Sequence, residues 1–336
     1  MKILVTGGAG YIGSHTVRHL LDNEHEVVVL DNLSTGHAES VPDGVPLERV
    51  DLMDKAALDP VFQKHKFDAV IHFAAFSQVA ESVKNPEKYY QNNVAGTLNL
   101  LGAMLAADVK KIVFSSTAAV YGNPEYSPID EAHPTRPINP YGRTKLMIEQ
   151  IFADYQNAFG LKWIALRYFN AAGANGDVGE SHNPESHLIP LVLQRILDGG
   201  EISVFGTDYD TADGTCIRDY IHVNELASAH RLAVESLCCH SRGGGNRADR
   251  DARSATFSGA INLGTGKGTS VKEIIQSAEK VSGKTCRINY APRRDGDPAK
   301  LVAANTKARE ILGWSPARNI EEIIASAWHW ETNRKY

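Results

Sequence analysis

The run Thr6-Gly7-Gly8-Ala9-Gly10-Tyr11-Ile12-Gly13 constrains this chain more than any other feature. It follows a short apolar stretch, Lys2–Thr6, and opens an amphipathic one, Tyr11–Asp22. The three spaced glycines then have separate physical tasks. Gly7 permits a tight strand-to-helix turn, Gly10 lets the backbone approach a pyrophosphate, and Gly13 lets the helix sit close on the sheet. An anion placed there meets the unpaired N–H groups and the positive dipole end of a helix. The same turn without a ligand is the plainer alternative. Its position between a predicted strand and a predicted helix favours the nucleotide.

The rest of the chain continues this alternation. Glu26–Asp31, Leu47–Val50, Asp68–Ala74, Lys111–Ser115 and Leu161–Tyr168 read as strands, apolar nearly throughout. Between them, helices are predicted near Asp54–His65, over Pro86–Ala107 and over Pro140–Phe159. Strands of this kind alternating with helices predict a parallel sheet covered on both faces, the Rossmann-type doubly wound α/β class. After Asn170 the pattern loosens into Gly-, Asp-, Asn- and Pro-rich loops. Short helices at Leu188–Leu197, Val223–Leu237 and Ser270–Val281, with a strand at Ala260–Gly264, complete the reading. The expectation is a dinucleotide-binding domain over 1–170, with late elements near 220–240 and 260–265 returning to it. Residues 171–336 should form mainly a smaller, interleaved α/β substrate-binding lobe. Residues 241–259 are rich in Gly, Arg, Asp and Ser without periodicity, and are expected to be a flexible surface insertion rather than a basic recognition loop.

Charge limits the partners. The 336 residues carry 35 Lys and Arg against 40 Asp and Glu, a formal net charge of −5. That excludes a broad nucleic-acid surface and requires any anionic ligand to be met by local cations. There is no membrane-spanning apolar run, and Met1–Gly7 is too short for a signal peptide, so a soluble cytoplasmic protein is expected. The four cysteines, Cys216, Cys238, Cys239 and Cys286, form no CxxC pair and are expected to be reduced thiols. The 13 histidines show no HExxH pattern, so no metal is expected, and most should be surface or structural.

Two carboxylates sharpen the cofactor reading. Asp31 lies 18 residues after Gly13, where it can accept hydrogen bonds from the adenosine ribose and would repel a 2′-phosphate. NAD is therefore favoured over NADP. Asp51 falls on the adenine side, and it could equally be the N-cap of a helix over Leu52–Leu58. Tyr141 and Lys145 share one face of a helix start, and Ser115-Ser116-Thr117 ends a strand upstream at the edge where ligands bind such sheets. A phenol with pKa near ~10 is a poor base at neutral pH. A neighbouring ammonium and a positive nicotinamide favour its phenolate.

These segments together resemble the extended short-chain dehydrogenase/reductase family. The likeness runs almost end to end. It includes the Gly-rich turn, Asp31-Asn32-Leu33-Ser34-Thr35-Gly36, His72-Phe73-Ala74-Ala75, Asn92-Asn93-Val94-Ala95-Gly96-Thr97 and Ser115-Ser116-Thr117-Ala118-Ala119-Val120-Tyr121-Gly122. It continues through Tyr141-Gly142-Arg143-Thr144-Lys145, Arg167-Tyr168-Phe169-Asn170, Asp213 to Val223 and Ala291 to Asp297, with only 241–259 lacking a counterpart. Within the family the chain is most like members that interconvert UDP-glucose and UDP-galactose. The resemblance implies that Tyr141 takes the proton of the sugar 4′-hydroxyl and that Thr117 hydrogen-bonds the same oxygen. Lys145 would bind the nicotinamide ribose and lower the tyrosine pKa. C4 would be oxidised by NAD, and the keto sugar would turn and be reduced on its other face. By the same resemblance Gly7, Gly10, Tyr11, Ile12, Gly13, Asp31, Asn32, Asp51, Leu52, Phe73, Ala74, Ala75, Asn92 and Tyr168 complete the cofactor site with Tyr141 and Lys145. Asn170, Leu188, Phe205, Arg218, Arg294 and Asp297 would hold the UDP part. His187 stands where relatives often have asparagine. Leu301 stands where relatives screen the sugar 2-substituent, and its bulk implies little room for an N-acetyl group. Relatives pair through two helices per subunit, which implies a homodimer through Pro86–Ala107 and Pro140–Phe159.

Rival readings are limited by residues that are absent. Related dehydratases place an Asp-Glu acid/base pair directly after the threonine, and decarboxylating relatives place a glutamate in that segment. Here Ala118 and Ala119 stand there and cannot move protons. Inversion of an N-acetylhexosamine or uronate UDP-sugar, a dehydrogenase that releases NADH, and a non-catalytic NAD-binding protein remain as alternatives. The last is disfavoured by the retained Tyr141 and Lys145. The arginines could instead form surface ion pairs with neighbours such as Asp219 and Asp295.

Overall fold

The computed structural model describes residues 1–238, 257–294 and 296–336. The insertion expected at 241–259 lies outside the described residues except for its last three, and Asp295 lies outside them too. In chain order the strands are β1 (Lys2–Thr6), β2 (Glu26–Leu30), β3 (Leu47–Glu48), β4 (Ala69–His72), β5 (Lys111–Thr117), β6 (Lys162–Tyr168), β7 (Asn170–Ala172), β8 (Glu201–Phe205), β9 (Ile217–Arg218), β10 (Tyr220–His222), β11 (Gly259–Leu263), β12 (Thr269–Ser270), β13 (Arg287–Ala291) and β14 (Lys300–Leu301). The helices are α1 (Tyr11–Leu21), α2 (Lys55–His65), α3 (Val79–Lys84), α4 (Pro86–Tyr89), α5 (Gly96–Ala106), α6 (Pro140–Phe159), α7 (Leu188–Asp198), α8 (Val223–Cys238), α9 (Val271–Ser282), α10 (Thr306–Leu312) and α11 (Ile320–Thr332).

The main sheet runs β11-β6-β5-β4-β1-β2-β3, and every pairing in it is parallel. Its strands are buried on both faces, which is why they read as continuous apolar runs. Successive residues alternate between two cores. Ile3, Val5, Val27 and Val29 pack with α1 and α8 through Val17, Leu20, Leu226 and Ala233. Leu4, Val28 and Leu30 pack on the other side with Leu58, Phe62, Leu101, Met104, Ile148 and Phe152 from α2, α5 and α6. The strand order reverses between β1 and β4, so a crevice opens at their carboxyl ends, the usual ligand position in open sheets. α8 and β11 come from late sequence yet pack on this sheet. A separate core, built from Val192, Ile196, Val204, Ile274, Ile275 and Ile324, holds α7, β8, α9 and α11 together.

Several boundaries differ from the sequence expectation. The helix after Asp51 begins at Lys55, and its N-cap is Asp54, whose side chain accepts a hydrogen bond from the Ala57 N–H at 3.1 Å. Asp51 therefore does not cap a helix; it accepts from the Met53 N–H and from the Asn32 amide, each at 2.8 Å. The span Pro86–Ala107 is not one α-helix, because Tyr90–Ala95 form a π-helical turn between α4 and α5. β3 keeps only two residues, since it is an edge strand paired on one side. The sequence reading contained neither the parallel pair β8–β13 nor the helices α10 and α11. β13 is nearly all exposed, so it carries no apolar alternation to read.

A buried polar network fixes α6 to the sheet. Arg167 Nη2 donates to Glu149 Oε2 at 2.5 Å, and Arg167 Nε donates to Glu149 Oε1 at 3.0 Å. Ser116 donates to the same Oε1 at 2.5 Å, while Arg167 Nη1 donates to the Tyr121 hydroxyl at 3.0 Å. Tyr121 in turn donates to Asn262 of β11 at 2.7 Å. Removing one partner of such a pair leaves a stranded buried charge. Arg167→Met should therefore destabilise the fold by about 3–5 kcal/mol in urea unfolding. Loss of the exposed Lys280, paired with Glu321 at 2.6 Å, should leave the midpoint nearly unchanged.

Candidate active site

The Gly-rich turn has the shape its spacing implies. Gly7 has φ +71°, and a Cβ on Gly13 would lie 2.1 Å from the Gly7 carbonyl oxygen, so α1 can seat on β1 only if both are glycine. A Cβ on Gly10 would meet only that carbonyl, at 3.3 Å, and would otherwise project into open space. Gly10 is also the N-cap of α1, and no side chain caps the first turn of Tyr11, Ile12 and Gly13. An open cradle over uncapped N–H groups fits a dinucleotide pyrophosphate. Asp31 is buried at the end of β2. It accepts from the Ala9 N–H at 3.0 Å and the Leu33 N–H at 2.8 Å, which ties the turn to the loop after β2 and still leaves acceptor capacity on both oxygens. Asn32 and Asp51 lie beside it, hydrogen-bonded to each other. Phe73 and Ala74 donate their N–H groups to the Thr6 carbonyl, so the loop carrying them and Ala75 lies against Gly7. Leu52 is buried beneath Gly96. Asn92 sits in the π-helical turn and donates to Asn93, which in turn holds Phe76 and Thr144.

The catalytic candidates meet at the carboxyl end of β5. Asn139 caps α6 by accepting from the Gly142 N–H at 2.8 Å, and Pro140 opens its first turn, which places Tyr141 and Lys145 one turn apart. A Cβ on Gly142 would lie 2.5 Å from the Ala119 carbonyl oxygen. That close approach sets the Tyr141 phenol against the Thr117 turn, where the Thr117 hydroxyl favours its deprotonation. Lys145 is 2% exposed, and its Nζ donates to the Ser115 carbonyl at 2.7 Å. The Ser115 hydroxyl pairs with that of Tyr168, another buried cofactor candidate.

Burial opposes the phenolate at this site. Burial pushes the Tyr141 phenol up to about 12, and the Thr117 hydroxyl offsets this only in part. Burial also pulls the Lys145 ammonium down to about 7, against an upward pull from Glu149. The ammonium by itself therefore does not make a phenolate, because the same burial weakens its own charge.

The UDP-site candidates converge on a second feature. Asn170, His187, Leu188, Phe205, Arg218, Arg294 and Asp297 all line one cavity of about 390 Å³, together with Cys216 and Tyr220. Arg218 is ion-paired with Asp297 and also donates to the Pro298 carbonyl at 2.9 Å. It does not pair with Asp219, which is buried and held by N–H groups of Thr265, Gly266 and Ala303. Arg294 lies over the Phe205 ring with its guanidinium carbon 3.9 Å from the centroid, and forms no ion pair among the described residues. These two arginines place local cations on the cavity wall of an acidic chain, where an anionic ligand could be met. Leu301 does not line this cavity; it packs beside Ala118, Val120 and Tyr121, next to the Thr117 turn.

The sequence reading gave no role to Glu149, which lies on the helix face of Tyr141 and Lys145 one turn further on, so the periodicity could have found it. It also missed Glu180, His182 and Glu185, which the structure gathers around His187. His15, His72, His133, His222 and His230 are buried, and His72 is held between the hydroxyls of Thr6 and Thr97 at 2.7 and 2.9 Å. Cys216 and Cys286 carry free thiols.

Comparison with known proteins points the same way. Residues 3–238 match the NAD dependent epimerase/dehydratase family. The chain is 54% identical to the UDP-glucose 4-epimerase of Halalkalibacterium halodurans over 334 residues, covering 98% of this chain and 95% of that protein. It superposes on the crystal structure of UDP-glucose 4-epimerase from Brucella ovis in complex with NAD with a TM-score of 0.90, at 46% identity and 97% coverage of both chains. A UDP-glucose-4-epimerase from Stenotrophomonas maltophila, with bound NAD and formylated UDP-arabinopyranose, gives a TM-score of 0.91 at 39% identity, covering 99% of this chain and 98% of that one.

The Lys145 shift has a measurable consequence. The unfolded chain keeps this proton up to the ordinary lysine value of 10.5, whereas the folded chain releases it near 7. Between those values the unfolded state binds more protons, so the penalty for burying Lys145 is complete below pH 7 and fades as pH rises. In coenzyme-free protein, Lys145→Met should gain stability relative to the parent by roughly 1 kcal/mol per pH unit as pH falls from 10 to 7. Guanidinium unfolding at stepped pH measures this, and a constant difference would contradict a buried, proton-shedding lysine.

Proposed function

The chain belongs to the NAD dependent epimerase/dehydratase family, and on that premise we propose that it interconverts UDP-glucose and UDP-galactose by oxidising and re-reducing C4 of the hexose. The observation that carries this reading is the placement of the buried Tyr141 phenol against the Thr117 hydroxyl at the end of β5, followed by Ala118 and Ala119. It offers one acid/base hydroxyl pair and no further proton-moving side chain in that turn, as inversion at a single carbinol requires.

The cofactor is NAD, and its candidate holders are Gly7, Gly10, Tyr11, Ile12 and Gly13 at the turn, with Asp31, Asn32, Asp51 and Leu52 toward the adenosine. Phe73, Ala74, Ala75, Asn92, Lys145 and Tyr168 complete the set. When bound, NAD⁺ supplies a hydride acceptor, and then a donor, together with a positive charge. Tyr141 accepts the 4′-hydroxyl proton as C4 becomes a carbonyl, and returns it when C4 is reduced. Thr117 holds the same oxygen. Lys145 provides charge that favours the phenolate. Arg218 and Arg294 grip the diphosphate through paired N–H donors, and Asn170, His187, Leu188, Phe205 and Asp297 surround the uridine end. With the nucleotide so anchored, the keto sugar is free to turn about its link to the diphosphate. Leu301, beside the Thr117 turn, disfavours a 2-N-acetyl substituent. Residues 1–170 and the late elements on their sheet thus serve the coenzyme, and the later lobe serves the sugar nucleotide.

Tyr141→Phe should retain fold and coenzyme while losing roughly 10²–10⁴-fold in kcat, because only the proton-transfer group is removed. UDP-galactose deuterated at C4 should pass its label transiently to the coenzyme in the parent enzyme. A label that never leaves the sugar pool during turnover would refute the redox route.

We further propose a cytoplasmic homodimer. No helix among the described residues is long and apolar enough to cross a membrane. Leu98 on α5, and Met147 and Phe159 on α6, are exposed apolar side chains on the helices expected to pair, and Val79 and Val83 are exposed on α3, which packs against α6. Light scattering on the 36.7 kDa chain should give twice that mass, and Val83→Glu combined with Met147→Glu should lower it to the monomer value.

A further inference from the structure

The segment between β7 and α7 brings Glu180, His182, Glu185 and His187 together, with one ligand-capable atom of each within 4.8 Å of the others. His187 Nδ1 lies 2.6 Å from Glu180 Oε1 and 3.1 Å from Glu185 Oε1. His182 Nδ1 lies 3.2 Å from Glu180 Oε1 and 3.8 Å from Glu185 Oε2. Four ligands at about 2.0–2.1 Å from one tetrahedral ion stand roughly 3.3–3.4 Å from each other. The observed separations bracket that value, from 2.6 Å for His187 and Glu180 to at most 4.8 Å across the set.

An internal ion-pair cluster does not account for the whole arrangement. The side chains of Glu180 and Glu185 are 6% and 7% exposed, so two carboxylates are withdrawn from water side by side. The N–H groups of Ser186 and His187 donate to Glu185 Oε1 at 2.7 and 2.8 Å and fix that carboxylate's orientation. Its other oxygen, Oε2, is buried without a hydrogen-bond partner, as is His182 Nδ1 facing it. A buried carboxylate oxygen without a hydrogen-bond partner is costly, and a cation shared among the four side chains would satisfy it. Two imidazole nitrogens and two carboxylate oxygens suit a borderline divalent ion of the zinc type better than a hard ion, which prefers oxygen alone.

We propose that Glu180, His182, Glu185 and His187 bind one Zn²⁺-class ion as a closed structural site. With four protein ligands it holds no open position for substrate, so its role is to position, not to catalyse. The site lies where several parts of the chain meet. Trp330 of α11 donates to the Glu180 carbonyl at 2.9 Å, and the His182 ring stands edge-on to Tyr11 with centroids 6.4 Å apart. His187 directly precedes Leu188, and both line the cavity. The ion therefore fixes the wall of the cavity relative to the start of α1. The half-exposed His187 gives it a way in.

The test is metal uptake by the untagged full-length protein, which reads out whether or not the C4 reading holds. Chelator-treated protein should take up one Zn²⁺ per chain in calorimetry. With Co²⁺ it should develop the visible absorption of a four-coordinate ion. The double variant His182→Gln, Glu185→Gln should bind Zn²⁺ more weakly on the order of 100-fold or more. No uptake, or equal affinity in parent and variant, overturns the proposal. Anomalous scattering at the zinc edge from metal-soaked parent crystals decides the matter independently of the variant's folding. A peak among the four side chains supports the site, and a peak elsewhere or none overturns it.

Discussion

The approach of Gly13 to the Gly7 carbonyl, where a Cβ would leave 2.1 Å, is the contact on which the rest is built. It sets how closely α1 lies on β1, and so whether Val17 and Leu20 reach the core shared with α8. It also aims the uncapped first turn of α1 into the crevice where the strand order reverses. The β-strands on either side then deliver Asp31, Phe73, Thr117 and Tyr168 to the same edge, because in a parallel sheet all carboxyl ends lie together.

A second close approach serves the chemistry. Gly142 lets α6 touch the Ala118–Val120 turn, and the Glu149–Arg167 pair fixes that helix one turn below Lys145. The result is a rigid but electrostatically unfavourable place. Desolvation raises the phenol and lowers the ammonium, so the folded protein stores a tendency that an added positive charge would release. A site already dry and fixed needs little reorganisation when that charge arrives, which is the advantage of building it on a helix start and a strand end rather than on loops.

Legibility in the sequence followed the range of the interaction. The Gly-rich turn, the alternation of strands and helices, and the Tyr141–Lys145 spacing are local patterns, and they were readable with small errors at the ends. The error at Asp51 has a local cause too: Asp51 and Asp54 are both good caps, and only the chain path decides which one meets the first free N–H. The residues lining the cavity were named by resemblance, and their gathering from positions 170 to 297 has no local signature. The partner of Arg218 shows the limit. Asp219, its neighbour in sequence, points into a cluster of backbone N–H groups, while Asp297, 79 residues away, makes the ion pair. In the extended chain joining β9 to β10 successive side chains face opposite ways, so adjacency in sequence argues against contact.

By itself the sequence determined the parallel α/β class and the Gly-rich turn, and it is the source of the proposed preference for an unphosphorylated ribose and the proposed hydroxyl–phenol–amine trio. Each depends on period, spacing or the chemistry of single residues, which folding cannot alter. Tertiary structure decided which charges are buried, and hence the protonation of Tyr141 and Lys145, the bracing of α6 by Glu149 and Arg167, and the convergence of Glu180, His182, Glu185 and His187. Those outcomes depend on desolvation and on distances across the chain, quantities that exist only once the backbone has closed around them.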